Sequence, residues 1–222
     1  MKRTYYFIVC FFLFLFFNNF VFSFDDGDFQ YWSAASASVK INEKLKLSFE
    51  EESRFADDAD QYYYQHYDLG LAWSGLAKWL ELGASYRHIY EKSKEEWYQE
   101  NRPHLNVTAR ANIFDFGLSN RIRFEYRNRH KDKAEDYWRL RNKFTVRLPL
   151  KITKFEIQPY VADEIYYDYN VEGINRNRVY AGFSFKIIKN LNGDIYYLWQ
   201  SSEGAGKWED INIFGTNIKY SF

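Results

Sequence analysis

From residue 30 onward, apolar and polar positions alternate with a period of two in one segment after another. The clearest runs from Phe114 to Arg129. Phe114, Phe116, Leu118, Ile122, Phe124 and Tyr126 share one parity, and Asp115, Ser119, Arg121, Arg123, Glu125, Arg127 and Arg129 share the other. A helix would scatter these arginines around its circumference, whereas an extended strand collects them on one face. The next segment repeats the pattern, with Trp138, Leu140, Phe144, Val146 and Leu148 set against Tyr137, Arg139, Arg141, Lys143 and Arg147. Further period-two segments cover Gln30–Ile41, Leu45–Phe55, Tyr63–Trp73, Leu80–Tyr90, Trp97–Ala109, Phe155–Asp168, Arg176–Lys186, Asp194–Ser201 and Asp210–Phe222. Their lengths match the roughly 9–11 residues that a tilted membrane strand needs. Bulky sets such as Leu45, Leu47 and Phe49, or Leu69, Leu71 and Trp73, are expected to face lipid.

The last strand reads as the closing strand of a transmembrane barrel. Phe214, Thr216, Ile218, Tyr220 and Phe222 form a bulky face, while Gly215, Asn217, Lys219 and Ser221 form a small or polar one. Gly215, Ile218, Tyr220 and the terminal Phe222 resemble the C-terminal signal by which bacterial barrels are recognised for insertion. Connections also alternate in character. Asn42-Glu43, 74–78, 110–112, 149–153 and 188–192 are short turns, and 56–61, 92–96, 130–136, 170–173 and 202–209 are more polar. Barrels of this kind keep short turns on the periplasmic side and longer loops outside. Single-chain bacterial barrels have an even strand count, which the segments above do not give. Gln30–Ile41, with the small run Ser33-Ala-Ala-Ser-Ala-Ser38, has a weak lipid face. The expectation is therefore an all-β, antiparallel up-and-down transmembrane barrel of about ten strands, with twelve as the alternative.

Composition sharpens the class. Aromatic residues make up 22% of the chain and charged residues 27%, and mean hydropathy is −0.57. Helical membrane spans would read as apolar blocks, and none follows Phe24. A barrel tolerates this polarity because half of each strand faces its interior. A soluble sandwich or lipocalin-like barrel would show the same alternation, but its apolar core could not hold so many arginines. The net charge of +0 argues against a nucleic-acid partner. At the N-terminus, Lys2 and Arg3 precede an apolar run from Tyr5 to Phe17, and Val21-Phe22-Ser23 could precede cleavage. This is the layout of a secretory signal peptide, shorter than the roughly 20 residues of a spanning anchor. Residues 1–23 are thus expected to be the signal and 24–222 the barrel. Cleavage there would remove Cys10, the single cysteine, and with it any disulfide or thiolate site.

If the polar parity faces the lumen, Arg87, Arg102, Arg121, Arg123, Arg127, Arg139, Arg141 and Arg147 meet Glu100, Glu125, Glu156 and Glu164 there. Lys143, Arg176, Arg178, Glu50, Glu52, Asp68 and Glu81 share that parity, as do His66 and His104. The interior is then either closed by ion pairs or a narrow pore with an arginine-rich wall favouring anions. No G-x-S-x-G, H-E-x-x-H or Gly-rich phosphate loop occurs, so no catalytic, cofactor-binding or metal residue is assigned. His88 lies on the bulky parity between Tyr86 and Tyr90, but Ser85 has the opposite parity.

The stretch from Gln30 to Arg54, with its Trp-containing first strand and a second strand ending in acidic residues and an arginine, resembles the bacterial family known as domain of unknown function 2490. Tyr67-Asp68-Leu69-Gly70 and Tyr86-Arg87 are also similar. The resemblance implies an outer-membrane barrel and brings no catalytic residues. The expected role is structural or that of a narrow passive channel in the bacterial outer membrane. Its partners would be outer-membrane lipids and, during insertion, the barrel assembly machinery, with no cofactor, nucleic acid or specific protein partner assigned. A lipid-modifying enzyme using His88, or a binding protein using Trp208 and 201–206, is the alternative.

Overall fold

Each alternating segment forms an extended strand, and the strands join edge to edge until the sheet meets itself. In the computed structural model, which describes residues 27–93, 96–130, 135–204 and 206–222, the strands are β1 (Phe29–Lys40), β2 (Leu45–Ala56), β3 (Gln61–Ala77), β4 (Leu80–Ser93), β5 (Glu96–Ile113), β6 (Phe116–His130), β7 (Tyr137–Arg147), β8 (Gln158–Asp168), β9 (Gly173–Ile188), β10 (Leu191–Gly204) and β11 (Lys207–Ser221). The expected signal peptide, residues 1–23 with Cys10, lies outside the described residues. Neighbours in sequence pair antiparallel, and β1 pairs with β11 to close the barrel. Closure leaves no row of unpaired backbone groups at a sheet edge.

The all-β barrel expectation holds, but the count is eleven rather than ten or twelve. Residues 30–41 do form a full wall strand. Because the count is odd, β1 and β11 run parallel, from Phe29↔Asn212 to Ser38↔Ser221. The small residues of β1 weakened its sequence signal, yet the seam is held on both faces. Outside, the Tyr31 hydroxyl lies 2.8 Å from Thr216 Oγ1, and the Tyr31 ring stacks on Phe55 and Phe214. Inside, Trp32 is buried.

One end of the barrel, here the Phe222 end, carries the connections 41–44, 78–79, 114–115, 148–157 and 189–190. Phe114 and Asp115 are not in a strand. They have φ of 49° and 70°, the positive values that a two-residue type I′ hairpin requires at both central positions. The longest connection of the fold, 148–157, falls at this end, where only short turns were expected. Its own small hairpin bridges Ile152 to Ile157, with Thr153 and Glu156 both at positive φ. For that reason β8 starts at Gln158, and not at Phe155 as parity suggested.

The two faces of the wall differ sharply. Every strand exposes at least one large apolar side chain outward, among them Val39, Phe49, Leu69, Tyr86, Leu105, Phe124, Phe144, Val161, Val179, Ile195 and Phe214. The inward positions of β2–β8 carry most of the charge. Across β8–β11 and β1 an apolar cluster lies among them: Trp32, Ala162, Tyr180, Leu198 and Ile213 are buried against Tyr160, Tyr196 and Ile211, with Arg178 and Asp194 keeping charge on β9 and β10. Gly215 has a packing reason here. A Cβ on it would lie 2.0 Å from Tyr196 Cζ, so the missing side chain lets the Tyr196 ring lie across β11.

The parallel seam can be tested by cross-linking. Ser38 and Ser221 are register partners with hydroxyls 3.3 Å apart, close enough for a disulfide once both are cysteine. In a Cys10→Ser background, Ser38→Cys with Ser221→Cys is expected to oxidise to a faster-migrating species on non-reducing gels. A ten-strand barrel closed by β2 on β11 would leave both thiols free.

Candidate functional site

Strand pairing sets charged residues of the inward parity side by side. In β6–β7 the register places Arg123 against Arg141, Glu125 against Arg139 and Arg121 against Lys143. Carboxylates therefore must come from neighbouring strands as well, and they do. Glu164 of β8 accepts hydrogen bonds from Arg141 (2.8 Å), Arg121 (3.2 Å) and the hydroxyls of Tyr166 (3.1 Å) and Tyr180 (3.0 Å). Fully buried Glu125 meets Arg141 at 3.3 Å and Arg102 and Arg139 at 3.8 Å. Glu100 takes Arg127 at 2.6 Å and Arg102 at 2.7 Å. Asp168 closes the chain, bound by Arg139 and by Asn175 at 2.8 Å. One connected network thus runs from Glu100 to Asp168 across β5–β8.

A second network covers β2–β5. Arg87 donates to Asp68 at 2.8 Å and to Glu50 at 3.2 Å. His66, wholly buried, lies 3.2 Å from Glu50, and His104 lies 3.6 Å from Asp68 while its Nδ1 meets the Arg102 carbonyl at 3.3 Å. Arg54, paired with Glu52 at 2.6 Å, is sandwiched between the faces of Trp32 and Tyr64, 3.6 and 4.1 Å from their centroids. Arg178 covers the same Trp32 ring at 4.8 Å and Tyr166 at 5.0 Å. Such stacking is worth roughly 0.5–2 kcal/mol per pair, and here it joins the charged half of the lumen to the apolar half.

The structure brings together Arg87, Arg102, Arg121, Arg123, Arg127, Arg139, Arg141, Glu100, Glu125 and Glu164 as parity predicted, and Arg147 lines the same lumen. Glu156 is a correction. It lies on the exposed 148–157 connection, pairs with Lys151 at 2.7 Å and Lys186 at 3.6 Å, and takes no part in the lumen. The hydrogen bond and charge of Lys151 hold its carboxyl below the ordinary value. Asp168, Arg54, Tyr137 and Trp32 were not picked out as network members. Asp168 shares the parity of Glu164, and Arg54 that of Glu52, so the signal was present. Trp32 gave none, since an aromatic on a barrel strand reads equally well as an outward residue.

The lumen is filled unevenly. Toward the 57–60 end, inward positions are large and buried: Tyr64, Glu100, Arg127, Tyr137, Arg139 and Asp168. Toward the Phe222 end small residues (Ser48, Gly70, Gly83, Ser85, Ser119 and Thr145) alternate with charged ones such as Lys46, Glu81 and Arg110 at the rim, and a cavity of about 740 Å³ lies between the walls. Basic side chains outnumber acidic ones about two to one around it. On the outer face, His88 Nδ1 meets Asn101 Oδ1 at 2.7 Å, Tyr86 donates to the same oxygen at 2.6 Å, and Asn101 Nδ2 lies 3.0 Å from His130 Nε2. No serine is hydrogen-bonded to this cluster among the described residues. Nor do they contain a group of three His, Cys, Asp or Glu arranged as a metal site. Beyond the strands, Asp136 accepts from the Arg129 amide, Asn128 and Tyr126, which hold its carboxyl below the usual range.

A family model described as "Protein of unknown function (DUF2490)" matches residues 29–211, and the chain belongs to that family. The match begins at the first residue of β1 and ends inside β11. No curated protein matches the chain.

Glu164 should be the most sensitive member of the network, because two guanidinium groups and two hydroxyls converge on it. Glu164→Gln keeps its size but leaves Arg121 without its charge partner and Arg141 with Glu125 alone. Removing one partner of a buried pair costs about 3–5 kcal/mol. Thermal unfolding followed by circular dichroism should show a large drop in midpoint, whereas Glu156→Gln should leave it within about 0.5 kcal/mol.

Proposed function

We propose that this protein spans the bacterial outer membrane as a sealed barrel, with lipid on its outer face and a lumen that does not conduct freely. One observation carries the reading: large apolar side chains point outward on every strand while the strand arginines and most of the carboxylates point inward, Glu51 and Asp163 being outward exceptions. Water-soluble monomers rarely expose contiguous apolar patches beyond about 300–600 Å², and this belt runs around the whole wall. Aromatic residues mark both rims. Trp97, Trp138, Tyr169 and Trp208 are exposed near one end, and Trp73, Trp79, Phe155 and Phe222 near the other. Amphipathic rings favour the headgroup level.

A closed barrel is one of only two ways a chain can satisfy its backbone inside lipid, and bacterial barrels of this type belong to the outer membrane. The signal peptide read at residues 1–23 and the aromatic C-terminal face (Ile218, Tyr220, Phe222, with Gly215 opposite) support export and recognition by the barrel assembly machinery. Placing Phe222 in the periplasm puts 57–60, 135–136 and 169–172 outside. The odd strand count then starts the wall, at Phe29, on the external side.

The filled lumen favours a sealed barrel over a passive channel. Ion-paired side chains at the 57–60 end occupy the space through which solute would have to pass, and wide aqueous channels need about 16 strands. Planar bilayers containing the purified protein are expected to stay silent. Steady, anion-selective conductance steps would overturn the sealed reading. Location is tested separately, in a Cys10→Ser background. Asp58→Cys should react with a membrane-impermeant maleimide on intact cells, and Glu43→Cys only after the outer membrane is permeabilised. Label on neither residue, or on both alike, would contradict the placement.

A further inference from the structure

The wall formed by β6 and β7 carries more positive charge than its carboxylates neutralise. Arg121 shares Glu164 with Arg141. Arg123 is 7% exposed, yet among the described residues its guanidinium donates only to the neutral Asn106 Oδ1, at 2.8 Å. Lys143 Nζ lies 3.5 Å over the Tyr180 ring. Arg147 makes neither an ion pair nor a side-chain hydrogen bond among the described residues, and Gly117 opposite it leaves its side chain room. Among the described residues Arg123 and Arg147 therefore make no ion pair, Lys143 faces only the Glu164 that Arg121 and Arg141 already share, and all three line the 740 Å³ cavity. A buried cation that lacks a counter-charge is costly unless a ligand supplies one.

We propose that this cavity is a binding site for a small, water-soluble organic phosphate. Three features select that class. Several cations converge, and a phosphate monoester carries about −1.5 to −2 charge near neutral pH with three acceptor oxygens; arginine matches those oxygens in a bidentate way. Hydroxyls of Ser119 and Thr145 stand on the same wall, and the rings of Tyr160 and Tyr196 face the cavity, so the organic remainder meets polar and aromatic groups. The volume falls within the roughly 300–1,000 Å³ of small-molecule pockets and exceeds what inorganic phosphate fills. Entry is from the Phe222 end, where Ser48, Gly70, Gly83 and Ser119 leave room between charged rim residues. The continuous hydrogen-bonded wall separates the cavity from anything on the outer face, which excludes a lipid headgroup reaching in sideways.

The site does not depend on insertion into a membrane, so it can be tested on the folded barrel in non-ionic detergent, and its failure would leave the sealed-barrel reading standing. Isothermal titration with glucose 6-phosphate, inorganic phosphate and glucose provides the probes. Glucose 6-phosphate should bind saturably, inorganic phosphate more weakly, and glucose not at all. Arg123→Gln should weaken glucose 6-phosphate by about tenfold or more. Arg147→Gln, at the half-exposed mouth and outside the ion-pair network, should do the same without loss of folding, as circular dichroism checks. Lys151→Gln, on the outer 148–157 connection, should change nothing. Absence of binding by both phosphates, or equal affinity in wild type, Arg123→Gln and Arg147→Gln, would overturn the proposal.

Discussion

Guanidinium groups inside a narrow barrel are stabilised chiefly where carboxylates reach them. Taking a charge out of water costs several kcal/mol, and a neighbouring opposite charge offsets that only with good geometry. In this protein the requirement is met across strands: Glu164 of β8 serves Arg121 of β6 and Arg141 of β7, and Glu100 of β5 serves Arg127 of β6. Since each carboxylate binds arginines from more than one strand, the charges fix the register of the wall as well as filling it. A slip of one residue would turn every arginine to the outer face.

The same requirement explains where the wall changes character. An apolar cluster lies over β8–β11 and β1, and Trp32 joins it to the charged wall by stacking with both Arg54 and Arg178. The parallel closure of β1 on β11 packs against this cluster, with the Lys219–Asp194 pair at one end of it. There Gly215 admits the Tyr196 ring, and Tyr31 stacks across the seam. Strand number is thus not constrained to be even by the lumen; it needs only a seam whose two faces can be packed.

Period two along Phe114–Arg129 and Trp138–Leu148 made the barrel, the inside and the outside legible in sequence, because the arginines there admit a single face. Parity also placed most of the charge network. Strand count was harder to read, since the Ala- and Ser-rich β1 has little apolar contrast and its partner is 180 residues away. Glu156 was misplaced for a local reason: a hairpin at 152–157, formed by residues at positive φ, ends the alternation before the strand begins. The decrease in size of inward residues toward the Phe222 end is visible in Ser48, Gly70, Ser85 and Ser119. It becomes meaningful only once pairing sets Ser48, Gly70 and Ser85 side by side, and Ser119 beside Thr145. Counter-charge for Arg123 and Arg147 could not be judged from sequence at all, because it depends on which strands are neighbours.

Charge inside and apolar side chains outside form one device: the outer belt can be apolar because the lumen takes most of the polar side chains, and the lumen can be charged because the paired strands separate it from the outer face. Trp32 and Trp138 stand on opposite sides of that wall, the first buried among lumen residues and the second exposed and stacked on Phe124 at 4.6 Å. Single-tryptophan proteins retaining one or the other, reconstituted into vesicles of brominated phospholipid, measure which side meets acyl chains. Strong quenching of Trp138 with Trp32 unaffected is the expected result. Equal quenching of both, or quenching of Trp32 alone, would contradict an inward charge network inside a lipid-facing wall.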